Sequence, residues 1–212
     1  MNISYSILTH NETNSLSELI NFLVKNKDDE DEIVILDDYS ENEKTQNILE
    51  TLVSIYEIKF EQRRLLENYA DQKNYLKRMC TKEYIINIDA DELPNGQLIK
   101  NIKPILDANH ETDLYFVPRV NTVKGLTQEH TEKWGWNVNE KGWINWPDYQ
   151  GRIWKNRPNI NWKNSVHEVL YGFNSYAHFP QEEKFCFYHK KEIKRQEEQN
   201  KHYDEIRKQN EI

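Results

Sequence analysis

Short apolar runs alternate with stretches of helical spacing along the first half of the chain. "ISYSILT" (3–9) predicts a buried strand, and Leu16, Leu19, Ile20 and Leu23 follow at helical spacing behind a Ser15–Glu18 capping-box pattern. "EIVILDD" (32–38) predicts a second strand, Ser40 and Glu43 a second capping box, and the next residues a helix to about Val53. "YEIKF" (56–60) is a third strand; 68–80 reads as a helix with Tyr69, Leu76, Met79 and Cys80 inward; "YIINI" (84–88) is a fourth strand. After Pro94, "GQLIKNIKPILDA" predicts a helix that Pro104 bends or ends, and "DLYFVPRV" returns to a strand. Such alternation specifies an α/β layer structure with a mostly parallel sheet.

The predicted strands end on polar clusters: Thr9-His10-Asn11-Glu12, Asp37-Asp38, the loop after Phe60, and Asp89-Ala90-Asp91 with Glu92 behind. Ligands of open α/β sheets bind outside the carboxyl ends of the strands, so these clusters are expected to meet there. Asp89 and Asp91, two apart on an extended chain, point the same way and repel. A lone Asp-x-Asp can be no more than a helix N-terminal carboxylate cluster. A second pair, Asp37-Asp38, at another strand end strengthens the need for a cation, and hard oxygen ligands on a sheet rim suit Mg²⁺ or Mn²⁺ completed by substrate phosphates.

Length and composition narrow the class. The 212 residues, 37% hydrophobic, fit one domain with a substantial core. A formal charge of -8 argues against a nucleic-acid partner. Cys80 and Cys186 are too few for a disulfide framework and predict buried reduced thiols in a reducing compartment. "MNISYSILTHNE" carries no cationic leader, and no window approaches the roughly 18 apolar residues of a transmembrane segment. The expectation is therefore a soluble, cytoplasmic protein (of a host cell if viral) or one peripheral to a membrane, with membership of a longer polypeptide left open. All six tryptophans lie between residues 134 and 162, among Asn, Gly, Lys and Asp. Some must be core, but such indoles also suit a cleft that stacks sugar faces. The mixed-charge tail after Lys190 predicts a solvated helix without chemistry.

The ordered set "SILTHNE", "VILDDYSEN", "DQKNYL" and "IINIDADELP" resembles the nucleotide-sugar-binding half of a GT-A glycosyltransferase of the family 2 type. "YQGRIWKN", "VHEVL" and "FCFYHKK" resemble the acceptor half of the smaller bacterial and viral members that extend surface glycans. The resemblance implies one Rossmann-like GT-A domain over residues 1–190, with a nucleotide-sugar half at 1–107, an acceptor half at 108–190, and a charged helix at 191–212. It implies a nucleotide-diphosphate sugar donor, UDP-linked in preference, held near Thr9, Asn11, Glu12 and Asp38, with Asp71, Lys73 and Asn74 toward the base and sugar. Asp89 and Ala90 lie toward the ribose or sugar, and Asp89 and Asp91 toward a Mn²⁺ or Mg²⁺ ion. His189 is the implied third metal ligand, with His178 its competitor. Family members often carry an arginine near the end of the Asp71–Asn74 motif; here Asn74 follows a lysine instead.

Inverting transfer to a glycan or other hydroxyl acceptor needs a base. Glu168 in "VHEVL" is the first candidate, then His167, then Asp148, while Trp136, Trp143 and Arg152, with Lys155, are the acceptor-side candidates. Two other classes compete. A sugar nucleotidyltransferase normally needs a Gly-rich, basic phosphate loop that "LTHNETNS" lacks, and a non-catalytic carbohydrate-binding module leaves the strand-end order and "VHE" unexplained.

Overall fold

In the computed structural model the described residues are 1–198, 200 and 201. Strands β1 (Ile3–Thr9), β2 (Glu32–Asp37), β3 (Ile58–Gln62) and β4 (Tyr84–Asp89) alternate with helices α1 (Asn14–Asn26), α2 (Glu43–Ile55) and α3 (Tyr69–Met79). Then come β5 (Glu92–Pro94), α4 (Gly96–Ala108), β6 (Leu114–Lys124), α5 (Gln128–Trp134) and β7 (Ile144–Lys155). The remainder is β8 (Asn161–Lys163), β9 (Val169–Tyr171), β10 (Tyr176–His178) and β11 (Phe187–Glu192), and residues 193–198 are helical.

Among the described residues the central sheet has nine strands in the order β3-β2-β1-β4-β7-β6-β11-β5, with β10 also on β6. β1 pairs in parallel with β2 and β4, and β2 with β3, so the ends of all four point to one rim. The second half joins through antiparallel pairs of β7 with β4 and β6. The mostly parallel α/β sheet is thus the observed one, completed by antiparallel strands. β8 and β9 form a separate two-stranded ribbon.

The apolar runs form the core as their spacing predicts: Leu16, Leu19, Ile20 and Leu23 of α1 are fully buried against Ile3, Tyr5 and Ile7 of β1. Neither capping box forms. Helix α1 starts at Asn14 and Ser15 Oγ donates to Glu12 Oε2 instead; α2 is capped by Asn42, whose side chain accepts from Thr45 N, while Ser40 Oγ is taken by Asp37. Pro104 does not end α4, which continues to Ala108. It sits on the exposed side, where the carbonyl one turn earlier, at exposed Lys100, can meet water. Helix α3 buries Leu76 as expected, with Cys80 buried just beyond its end, but Tyr69 and Met79 are half-buried and Gln72, Lys73 and Lys77 are buried as well. Among the described residues no helix is long and apolar enough to cross a membrane.

Candidate active site

A cleft of about 870 Å³ opens at the carboxyl ends of β1, β2 and β4 and runs under the β8–β9 ribbon. Thr9, Glu12, Asp38, Lys73, Asp89, Ala90 and Asp91 line it. The buried Thr9 hydroxyl has no hydrogen-bond partner among the described residues. Asp38 Oδ1 accepts from Leu65 N at 2.9 Å, which ties the β3–α3 loop to the end of β2.

Three residues of the expected donor set do not line the cleft. Asn11 Oδ1 accepts from Glu41 N and Asn42 N, both at 2.9 Å, and so joins the first two strand-end loops. Asp71 is exposed and paired with Arg63. Asn74 donates to Trp162 O at 2.9 Å and accepts from Trp162 N at 2.8 Å, fastening α3 to β8.

The cleft floor is a chain of alternating charges. Glu168, immediately before β9, accepts from Lys73 Nζ at 2.6 Å, and the same ammonium lies 4.0 Å from Asp89. Asp89 accepts from Arg152 at 2.7 Å; Arg152 also binds the fully buried Glu92 carboxylate, which Arg119 contacts at 3.0 Å; Arg119 then reaches Asp148 at 2.7 Å. The positive group predicted beside Asp89 is therefore supplied by the chain itself. Burial pushes the Asp89 carboxyl up, but the Arg152 guanidinium and Lys73 outweigh it and hold the group well below the ordinary carboxylate range. Arg152 consequently serves Asp89 and Glu92 within the cleft wall, and Lys155 pairs with Asp113 at 3.4 Å. Neither cation is a spare acceptor-side charge. Arg119, which composition did not single out, could have been noticed as a cation inside the apolar run "DLYFVPRV".

Asp91 and His189 meet at the other side of the rim, with Asp91 Oδ2 3.2 Å from His189 Nε2. The ring is oriented from behind. Asn121 Nδ2 donates to Asp148 Oδ2 at 2.8 Å, so Asn121 presents its carbonyl oxygen to His189 Nδ1 at 2.9 Å, and that nitrogen carries the proton. Nε2 then faces a carboxylate with a lone pair unless a proton or a metal lies between them. This donor set, one carboxylate and one oriented imidazole, fits a divalent ion that takes its other ligands from water and phosphate. Asp89 does not join it: among the described residues no group of three His, Cys, Asp or Glu side chains converges as a metal cage. His178 stacks on Phe116 at 5.0 Å, away from Asp91. Arg195, from the tail expected to be inert, contacts Asp91 at 3.1 Å and pairs with Glu12.

His167 and Glu168 also line the cleft, Glu168 sharing the Lys73 ammonium with Asp89. Trp136 and Trp162 are the tryptophans on its wall. Trp143 lies outside it, packed edge-on against Trp146 at 4.8 Å and under the Lys141 ammonium. Trp154 and Trp162 belong to the core, edge to face at 5.5 Å.

Parallel strands that end in this carboxylate-bearing cleft, joined to an antiparallel second half, define a GT-A fold. The family model described as Glycosyl transferase family 2 matches residues 4–179, and the chain belongs to that family. Uncharacterized glycosyltransferases of Rickettsia typhi and Rickettsia prowazekii are each 30% identical over 121 residues, 57% of this chain and 38% of theirs. The match thus spans about two fifths of those relatives. The crystal structure of Staphylococcus aureus TarS 1–349 in complex with UDP-GlcNAc superposes with a TM-score of 0.63 at 18% identity, over 90% of this chain and 58% of that one. That of S. aureus TarS gives 0.62 at 16% identity, over 90% and 37%.

Proposed function

We propose that the chain transfers a sugar from a nucleoside-diphosphate sugar to a hydroxyl acceptor with inversion, Glu168 acting as base. The observation that carries this reading is the convergence, in one cleft, of strand-end carboxylates Asp38, Asp89 and Asp91 with Glu168 from the second half of the chain. A UDP-linked donor is favoured because TarS, of the same fold, is described with UDP-GlcNAc.

Thr9 and Asp38 are suited to the nucleoside and Asp89 to the ribose or sugar. Asp91 and His189 would hold a divalent ion, Mn²⁺ or Mg²⁺, whose contribution is to neutralise the departing diphosphate. Glu168 takes the proton of the acceptor hydroxyl as that oxygen bonds to the anomeric carbon, and the electron pair of the breaking C–O bond leaves with the nucleoside diphosphate. Glu168 is a better base than Asp148. One Glu168 oxygen is committed to Lys73. Asp148 accepts from Arg119, Asn121 and Gln150; despite burial, these donors keep its carboxyl below the usual range. Trp136, on the cleft wall, is suited to stack against the acceptor.

Glu168→Gln removes the base but keeps a hydrogen-bonding group for Lys73. Transfer should fall about 10²-fold or more, with donor affinity within a few-fold of wild type. Unchanged turnover in that variant would transfer the role to His167 or Asp148.

A further inference from the structure

Arg195 contacts two acidic side chains that follow two different strands of the parallel half. Its guanidinium lies 3.1 Å from Asp91 Oδ2 and 3.1 Å from Glu12 Oε2, with a second, close contact to Glu12 Oε1. Glu12 belongs to the loop after β1 and Asp91 to the turn after β4, and both line the cleft. Asp91 Oδ2 is also the oxygen that faces His189 Nε2 at 3.2 Å. One carboxylate oxygen therefore meets both the internal arginine and the imidazole that would share a metal with it. The Arg195 side chain is 49% exposed and not locked into the core. It stands on the helical residues 193–198, which continue directly from β11, the strand that carries His189.

A guanidinium and a divalent ion at one carboxylate oxygen repel each other strongly in a partly buried site. Metal entry between Asp91 Oδ2 and His189 is therefore opposed as long as Arg195 holds that oxygen. A released arginine has an obvious alternative partner in a diphosphate, whose oxygens match its fork of N–H donors.

We propose that Arg195 is an exchangeable counter-ion that makes divalent-metal uptake depend on the arrival of the nucleoside diphosphate. With the cleft empty, Arg195 neutralises Asp91 and Glu12; when the diphosphate enters, Arg195 transfers to it and Asp91 becomes free for the metal. The inference rests on the metal-site reading of Asp91 and His189. Its thermodynamic form is positive coupling between nucleotide and metal, which must act equally in both directions.

The test titrates Mn²⁺ calorimetrically into the full chain, with and without saturating UDP, for wild type, Arg195→Gln and Arg195→Lys. Without UDP, Arg195→Gln should bind Mn²⁺ on the order of 5-fold or more tightly than wild type, and Arg195→Lys, which keeps the charge, should stay near wild type. With UDP, Arg195→Gln should have no such advantage, so the factor by which UDP strengthens Mn²⁺ binding shrinks. Equal or weaker Mn²⁺ binding by Arg195→Gln without UDP would overturn the proposal, as would identical behaviour of the Gln and Lys variants. Asp91→Asn separates the two levels. If it abolishes UDP-dependent Mn²⁺ binding while Arg195→Gln matches wild type, the counter-ion role alone falls. If wild type binds no Mn²⁺ even with UDP, or Asp91→Asn binds it undiminished, the metal-site reading falls and takes this role with it.

Discussion

Asn74 shows how a residue can carry a family motif and still do structural work. Its amide closes two hydrogen bonds with the Trp162 backbone, at 2.9 and 2.8 Å, and replaces a strand partner that β8 lacks on that side. Asn74→Ala leaves both backbone groups unpaired in a half-buried position, and a loss of about 1–3 kcal/mol is expected. Chemical denaturation measures it, and donor affinity should change little; a large loss of donor affinity at unchanged stability would return Asn74 to the donor set. At this scale the sequence was legible where chemistry is local. Asp38, Asp89, Asp91 and Glu168 could be expected at a common cleft because carboxylates at strand ends and between apolar residues need a reason to be there, and all four line it. Lys73 as Glu168's partner was not, since the two lie far apart in sequence and meet only through the ribbon that covers α3. Arg195 was hidden by its surroundings: in "KEIKRQEEQNK" one arginine looks like any other, and the available signal was its position soon after His189.

The elements were more legible than their ends. Leu16, Leu19, Ile20 and Leu23 define α1 by period alone, whereas the Ser-x-x-Glu patterns misplace both caps because Glu12 and Asp37 capture the serine hydroxyls first. The β8–β9 ribbon was not foreseen, being two strands of three residues each. It matters because Glu168 precedes β9 and the ribbon holds it over the cleft. Gly172 closes the ribbon with φ +86°, and a Cβ there would lie 1.9 Å from Asn159 O. Gly172→Ala therefore combines left-handed strain with a backbone clash, a cost of about 2–4 kcal/mol. We expect Tm to fall by roughly 4–15 °C and transfer to fall further than donor binding, as the ribbon shifts Glu168. A variant with wild-type Tm would show that the ribbon accommodates the methyl group and that its closure does not fix the base.

For the molecule as a whole, the β-α alternation announced the parallel half of the sheet, while the antiparallel half depends on long-range pairing of β7 with β4 and β6 that no local period encodes. The cleft follows from that topology: the parallel strands end in Asp38, Asp89 and Asp91, while Arg119 on β6, His189 on β11 and Glu168 beside β9 come to the same cleft from the second half. Since relatives extend well beyond the matched segment, the acceptor is a property to establish on the longest natural polypeptide. The proposed metal-assisted donor binding bears the central claim. Calorimetric titration of wild type with UDP-sugars in Mn²⁺ should give saturable binding at one site, competed by UDP and lost in EDTA or in Asp91→Ala while the fold is retained. Equal donor affinity with EDTA and with Mn²⁺, or no binding of any nucleotide sugar, would contradict a metal-assisted glycosyl transfer at this cleft.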